Sequence, residues 1–426
     1  MKKQNKPVKP AKSHYTFYRQ IVQWIPPGLP EKIAEDKNAD IRRFSCTSHI
    51  LALMYGHFSK ANSLNEICDA LRLHESDLAR IRGATAPKRN TFSNANRTRN
   101  PEIAEALYWR VLKHLQTVIP EFVQGKKYNG FISRFERDIF AIDSTTLQLT
   151  MNCFDWARHR RKKAAAKTHM TINVGNMLPT VAVVEDAAHH DSTKSHELCA
   201  SLKDGDILLA DRAYVKFHFL HDLFQRGVFF VLREKKNMQY TVLKNSAHKD
   251  STVVSDEIIT LTLENTRKKY PQELRRVTAI VEVDKKEVEM SFITNNFKWS
   301  PRTIAELYKA RWNIEVFFKE IKQTLQLSDF IGYNENAVKW QVWIGLLVHL
   351  LIRFLKFQSK WKLSFSRLAG VIRSAVWMRI DLLRTLHIYG TASPPQRPVV
   401  FAQQLCLKGF ERYTSNTMGQ PTAKSP

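Results

Sequence analysis

Three acids, far apart in the chain, have the types and local settings of a phosphoryl-transfer site. Asp143 closes the apolar run IFAID (Ile139–Asp143), and Asp211 closes a second run, DILLAD (Asp206–Asp211). Glu315 lies much later, inside YKARWNIEVFFKEIK (Tyr308–Lys322). Residues at the carboxyl ends of strands line the usual site crevice of an α/β sheet. Three converging carboxylates suit hard divalent cations, which take oxygen ligands. Two such ions about 4 Å apart can serve both the attacking and the leaving oxygen of an in-line displacement at phosphorus. Each Asp has a plainer reading: Asp143 precedes Ser144-Thr145 and suits a turn, and Asp211 suits a cap. The order Asp, Asp, Glu in matching contexts favours the site.

The segment around Glu315 reads as one helix. At roughly 100° per residue, Tyr308, Arg311, Glu315 and Lys322 fall within an arc of about 60°. Leu307, Ile314, Phe318, Ile321 and Leu325 form a neighbouring apolar face. Ser300-Pro301 supplies a start, with Pro at the first helical position, and nothing before Lys322 breaks the pattern. Taken alone, the segment is equally an amphipathic helix with a surface pair, Arg311 to Glu315 at i,i+4.

The elements that must position these residues follow from the rest of the chain. Residues 1–13 are basic and Pro-containing and read as a disordered tail. Residues 14–130 read as an all-helical domain, with periodic pieces such as HILALMYGHF, SLNEICDALRL and PEIAEALYWRVLKHL. Ser63 with Glu66 forms a capping box. The basic, acid-free APKRNTFSNANRTRN (86–100) lies between helices, so 63–99 reads either as a helix-turn-helix-like DNA-binding unit or as a basic loop between core helices. Residues 131–236 alternate strand and helix, with His169–Asn176 and Leu178–Asp186 as a hairpin. Residues 237–290 are β-rich, 291–390 carry the last strand and further helices, and 391–426 are a polar, Pro-rich tail. WQVWIGLLVHLLIRFLKF (Trp340–Phe357) contains Gln341, His349 and Arg353 and reads as a buried helix, not a membrane span.

The 426 residues carry 66 Lys and Arg against 40 Asp and Glu, a net charge of +26. That surplus points to a polyanionic partner, nucleic acid first and an anionic membrane surface second. The N-terminus has no apolar stretch of a secretory signal. The five cysteines are scattered without CxxC spacing, which argues against a disulfide framework or a zinc site. His189-His190-Asp191 reads as polar loop chemistry more than a metal site. The run Arg158–Lys163 is a solvated loop by default and, at this net charge, a candidate for DNA backbone contact.

The spacing Y-(2)-R-(3)-E-(6)-K, met by Tyr308, Arg311, Glu315 and Lys322, resembles the motif of the insertion-sequence-4 group of DDE transposases. IFAIDSTTLQL and GDILLADRAY resemble that group's two aspartate segments, and ARHRRKKAAAKTHM (Ala157–Met170) its basic Lys-x-His segment, here Lys167 and His169. The matches span about residues 138–325.

The resemblance implies an α/β fold: a ribonuclease-H-like catalytic core with an inserted β-rich subdomain, preceded by an all-helical N-terminal DNA-binding domain. It implies a metal site of Asp143, Asp211 and Glu315 holding two Mg²⁺ ions, with Mn²⁺ as a substitute. It assigns DNA contacts to Tyr308, Arg311 and Lys322; Lys167, Arg161, Lys162 and Lys163 of the basic segment are further candidates for DNA contact, and His169 either contacts DNA or orients a neighbour. The implied reaction excises the element and joins it to target DNA through a hairpin intermediate with a flipped base. Flipping costs a few kcal/mol, and Trp299, Trp312 and Tyr240 are candidate stacking residues. The implied partners are double-stranded DNA, both inverted-repeat ends and target, and a second copy of the chain on DNA, with no membrane. The implied location is the bacterial cytoplasm. Alternatives are a domesticated DNA-binding protein, a metal-dependent nuclease on the same fold, or a structural nucleic-acid or membrane-surface binder that needs neither metal nor Glu315.

Overall fold

The computed structural model describes residues 10–39, 43–124, 134–149, 158–159, 163–186, 194–247, 250–283, 286–324, 332 and 334–390. The chain divides by internal contacts into two compact units, one of residues 1–123 with 320–426 and one of residues 124–319.

The first unit is helical. Its helices include Cys46–Ser59, Leu64–Leu73, Arg89–Thr98, Glu102–Val118, Glu335–Gln358 and Phe365–Ala375. Side-chain caps start several of them: Ser45 accepts from the Ser48 amide, Ser63 from Glu66, Asn334 from Ala337 and Ser364 from Arg367. Each cap satisfies one of the amides a helix start leaves without an intrahelical partner. Glu66 reaches back to the amide of Asn62, one residue before the cap, so the expected box is offset by one. Glu335–Gln358 is the axis of this unit. It is long and apolar enough to cross a bilayer, but 89% of its most apolar window is buried within the protein. It packs on Glu102–Val118, Cys46–Ser59, Arg89–Thr98 and Phe365–Ala375. Residues 86–100, which the sequence left open between a helix-turn-helix-like unit and a basic loop, form the helix Arg89–Thr98 over most of their length, without the tight turn of a helix-turn-helix before it. Between Leu64–Leu73 and Arg89–Thr98 come a short helix, Glu75–Ala79, and a nine-residue connection, where such a motif has a turn of three or four residues.

The second unit is built on a ten-stranded sheet. Its strands are β1 (Ile139–Leu149), β2 (Arg158–His159), β3 (Lys163–Asn173), β4 (Leu178–Asp186), β5 (Ile207–Ala210), β6 (Phe229–Arg233), β7 (Tyr240–Asn245), β8 (Val253–Leu261), β9 (Leu274–Val283) and β10 (Lys286–Thr294). The order is β2-β3-β1-β5-β6-β10-β9-β8-β7, with β4 also paired to β3. β1, β5 and β6 run parallel. Their parallel-paired stretches, residues 139–142, 207–210 and 229–232, are short, apolar and largely buried, as parallel strands covered on both faces must be. The other pairings are antiparallel.

One face of the parallel strands carries Phe140, Ile142, Leu208, Ala210, Phe230 and Leu232. It packs on Phe219, Leu220 and Leu223 of the helix Phe217–Gln225. The opposite face receives the helix Pro301–Ala310 and its continuation Trp312–Lys319.

The β3–β4 hairpin appears where the alternation placed it, with Met177 at φ 59° in its turn. Two strands are longer than their sequence signals. β1 runs on to Leu149, so Asp143 lies inside it, and β3 begins at Lys163. Cross-strand pairing from Phe140↔Asn173 to Leu149↔Ala164 holds both extensions, although Thr, Gln and Ala residues there give no apolar run. The β-rich stretch after residue 237 does not stand as a separate sheet. β7, β8 and β9 join the same sheet through β10, which pairs with both β9 and β6.

Candidate active site

Parallel pairing sets the positions of the two aspartates. β1 and β5 are in register up to Ile142↔Ala210, and Asp143 and Asp211 are the next residue on each strand. Both therefore emerge at the same end of the sheet. β1 continues there alongside β3 while its neighbour β5 stops, which leaves a step at the sheet's carboxyl end. Side chains alternate along a strand, so Asp143 projects from the face opposite Ile142, toward the helices that carry Tyr308, Arg311 and Glu315.

Those helices do not form one unbroken rod. Pro301–Ala310 starts at Ser300, whose side chain accepts from the Thr303 amide. It ends in a tight turn at Arg311, where the amides of Arg311 and Ile314 bond to Tyr308 and Arg311 carbonyls. Trp312–Lys319 follows, and then a π-helical turn, Glu320–Thr324. The expected continuous helix is thus interrupted at Arg311 and widened at Glu320. Interruption at Arg311 leaves Tyr308, Arg311 and Glu315 beside the two aspartates.

Arg311 donates from Nη1 to Asp143 at 3.1 Å and from Nη2 to Glu315 at 2.7 Å. The Tyr308 hydroxyl donates to Asp211 at 3.3 Å. Tyr308 is buried, with its ring 4.7 Å from that of Phe292, and the Arg311 guanidinium lies 5.4 Å from the Tyr308 ring centre. One cation thus spans two of the three acids, and a phenol on the same helix segment holds the third. The cap reading of Asp211 fails on geometry: its side chain makes no capping bond to the turn Arg212–Tyr214. Asp143 also accepts from the Ser144 amide at 2.8 Å.

The electrostatics follow from this packing. Burial raises the Asp143 carboxyl to about 6, and the neighbouring charges of Glu315 and Asp211 push the same way. The Ser144 amide and Arg311 pull it down. Burial lifts the Tyr308 phenol to about 12, with Asp211 adding to the rise against Arg311, so it stays a proton donor. Burial works against the Arg311 charge, but Tyr308, Glu315 and Asp143 outweigh it and hold Arg311 above its ordinary value. Glu315 is the open member of the set, with its side chain 53% exposed against 23% for Asp143.

The other proposed contacts are placed elsewhere. His169 pairs across the sheet with Ser144 and Lys167 with Thr146, so both project from the face opposite Asp143. His169 is fully buried, with Nε2 3.0 Å from Glu185, which leaves it no surface for a DNA contact. Lys167 is half-buried. Lys163 opens β3; Arg161, Lys162 and the His189-His190-Asp191 stretch lie outside the described residues. The described part of the basic run is paired β-structure, Arg158–His159 against Lys163–Ala164, where the sequence suggested a loop. Lys322 falls in the π-helical turn, within the helical unit. Of the aromatic candidates, Trp299 packs against Phe229 at 5.3 Å and Tyr240 lies under Arg276 at 5.3 Å.

Sequence reasoning missed Arg233. It ends the third parallel strand, one residue past Leu232, which pairs with Ala210. It is therefore level with Asp211, and its charge is felt by the Tyr308 phenol. The signal was available: VFFVLRE is a third apolar run closed by a charged residue. Lys235 lies just beyond, its ammonium pulled below the ordinary value by burial and by Lys216.

Among the described residues no ready-made group of three acid, histidine or cysteine side chains is disposed to hold a metal ion. The donor chemistry nevertheless fits a hard divalent cation: the acids at this end of the sheet offer only oxygen, and the charges of Glu315 and Asp211 add to the rise that burial gives the Asp143 carboxyl. Arg311 is the cation that meets that charge here.

Residues 134–351, just over half of the chain, match the family of the transposase DDE domain. Residues 13–81 match a domain family of unknown function. The chain is similar to the probable transposase for insertion sequence element IS5377 of Geobacillus stearothermophilus, 29% identical over 53% of this chain and 59% of that one. It is also similar to the transposase InsG for insertion sequence element IS4 of Escherichia coli, 25% identical over 46% of this chain and 47% of that one. Among solved structures, the piggyBac transposase synaptic complex with hairpin DNA aligns at a TM-score of 0.42 and 10% identity, over 92% of this chain and 86% of that one.

Proposed function

Because this chain belongs to the transposase DDE domain family, we propose that it is the transposase of an insertion sequence, cutting the element's ends and joining them to target DNA. One observation carries the residue assignment: Arg311 spans Asp143 and Glu315 while Tyr308 holds Asp211. Tyr308, Arg311 and Glu315, three of the four residues of the spaced motif, meet both aspartates in one cluster. We read the strand order β4-β3-β1-β5-β6, antiparallel and then parallel, as a ribonuclease-H-like core extended by β7 to β10.

In this reading Asp143, Asp211 and Glu315 hold Mg²⁺, with Mn²⁺ as a substitute. Such ions polarise the attacked phosphoryl group and stabilise the charge that develops in the displacement. The chain's own residues do the rest. The carboxylates gather the positive charge at the sheet's end. Arg311, exchanged off the acids, offers a planar donor fork that suits a phosphate. Tyr308 keeps its proton and donates, so it is not a nucleophile. Arg233 and Lys235 extend a basic rim along which a DNA backbone can lie. The substrate is double-stranded DNA, the element's inverted ends and then a target, released through a hairpin. The remaining parts of the reading are a helical DNA-binding region before the core, two copies of the chain assembled on two ends, and action in the bacterial cytoplasm.

The test is strand cleavage on a duplex carrying the DNA that flanks this protein's own gene, with Mg²⁺, with EDTA, and with Glu315→Gln. Metal-dependent nicking that proceeds to a hairpin, and is lost in the variant, is the expected result. Cleavage unaffected by Glu315→Gln would overturn the assignment.

A further inference from the structure

The helix Arg89–Thr98 has a chemistry that helix formation does not explain. Its inner face is conventional: Phe92, Ala95 and Asn96 are buried, and Asn96 Oδ1 accepts at 2.7 Å from Nε2 of the buried His49 ring. Its outer face carries Arg89, Asn90, Asn94, Arg97 and Thr98, all exposed. Asn and Thr are weak helix formers, because Asn competes for backbone hydrogen bonds and Thr loses side-chain freedom. At solvent positions, where packing does not decide, Glu, Gln, Lys or Ala would hold the helix better.

An ordinary solvated face also mixes signs and forms i,i+4 ion pairs. This one does not: residues 80–101 contain six Lys or Arg and no Asp or Glu. The outer side chains make hydrogen bonds along their own helix instead. Arg97 donates to Asn94 at 3.0 Å, and the Thr98 hydroxyl donates to the Asn94 carbonyl. The helix is nevertheless rigidly seated. The side chains of Asn334 and Asn336, at the start of the long helix, each donate to the Arg97 carbonyl at 3.0 Å, and the Trp340 indole donates to the Arg99 carbonyl.

Arg and Asn are the side chains that read base edges in the major groove: Arg takes the two acceptors of guanine, and Asn pairs with the donor and acceptor of adenine. Asn90, Asn94 and Arg97 are spaced i, i+4, i+7, which lines them along one side of the helix. A B-DNA major groove about 12 Å wide admits such a helix. We infer that Arg89–Thr98 is a recognition helix, which enters the major groove of duplex DNA and reads base sequence through Asn90, Asn94 and Arg97. This rests on the reading of the chain as a transposase and adds the element that selects its DNA.

The test is binding without catalysis. Fluorescence anisotropy in EDTA would compare a duplex carrying the gene's own flanking end with a scrambled duplex of equal length and composition. Wild type is expected to prefer the end. Asn94→Ala, which alters no charge, is expected to weaken end binding by roughly ten- to a hundredfold, the size of one lost base contact, and to leave scrambled binding unchanged. Arg97→Ala is expected to weaken both, the end more. Circular dichroism should show both variants folded, since both sites are exposed. A wild type with no preference for the end overturns the proposal, and so does an Asn94→Ala protein that keeps its preference. Because EDTA removes catalysis from the readout, failure here is distinct from failure of the cleavage reading, which Glu315→Gln tests on its own.

Discussion

Arg311 holds the carboxylate cluster together more than any single acid does. Removing it while keeping side-chain volume, as in Arg311→Met, leaves Asp143 and Glu315 facing each other without a cation. The cost falls short of the ~3–5 kcal/mol of a fully buried pair, because Glu315 is half exposed. A loss of about 2 kcal/mol is expected, read as a lowered Tm in EDTA. Mg²⁺ should raise the Tm of this variant more than that of wild type, since a divalent ion then has no resident competitor. An equal shift in both proteins would mean that Arg311 and the metal do not compete. Tyr308→Phe should act differently. It keeps the ring on Phe292 and loses one hydrogen bond of 3.3 Å, so stability should change by no more than about 1 kcal/mol. DNA cleavage should fall well beyond that if the hydroxyl orients Asp211, and a Tyr308→Phe protein with full cleavage would remove this tyrosine from the site. Asp143, Asp211, Tyr308, Arg311 and Glu315 could be picked out because each closes an apolar run or keeps a fixed spacing, whereas Lys322, chosen by the same spacing, falls in the helical unit. Arg233 could not be, because its place beside Asp211 comes from the register of three parallel strands, which one sequence does not display.

Among the elements, strands with apolar cores were easiest to read, and interruptions within helices were hardest. Periodicity across residues 308–322 gives no hint of the turn at Arg311 or the π-helical turn at Glu320–Thr324. The second has a physical anchor: Glu320 accepts from Arg353 and from His349, the latter at 3.2 Å, both on the long helix of the same unit. π-turns inside helices often mark functional positions. The anchor also makes the helical unit acid-sensitive. Burial, with Arg353 acting the same way, lowers His349 to about 4, even though Glu320 favours its charged form. Burial and Arg99 lower His49 to about 3. Unfolded, each ring would titrate near 6.5, so below that pH the unfolded chain binds protons that the folded chain refuses. Stability is therefore complete above about pH 6.5 and is lost as pH falls toward 4, at up to ~1.4 kcal/mol per pH unit for each histidine. Urea melts from pH 7 to pH 4.5 should show that slope, and His349→Gln should remove about one proton's share of it. An unchanged slope would show that His349 titrates normally in the folded protein.

The whole molecule is where local sequence signals carry least. No local signal joins residues after 320 to those before 124, yet the contacts make them one helical unit. Nor does any signal say that the strands after residue 237 prolong one sheet, because pairing between distant strands has no local signature. Net charge is the exception, since it is read from the chain as a sum. With +26 at neutral pH, binding to a duplex should be dominated by release of counterions from the phosphates. Log affinity is then expected to fall linearly with log salt, by about 0.9 for each phosphate neutralised, or roughly 10³–10⁵ between 50 and 200 mM salt for six to ten contacts. Lys322→Gln gives this a residue-level check. If the ammonium neutralises a phosphate, the slope on a scrambled duplex should shrink by about one, with affinity lowered at every sequence. If it instead serves the packing of its own turn, where burial already pulls it below its ordinary value, the slope should stay as in wild type while Tm falls.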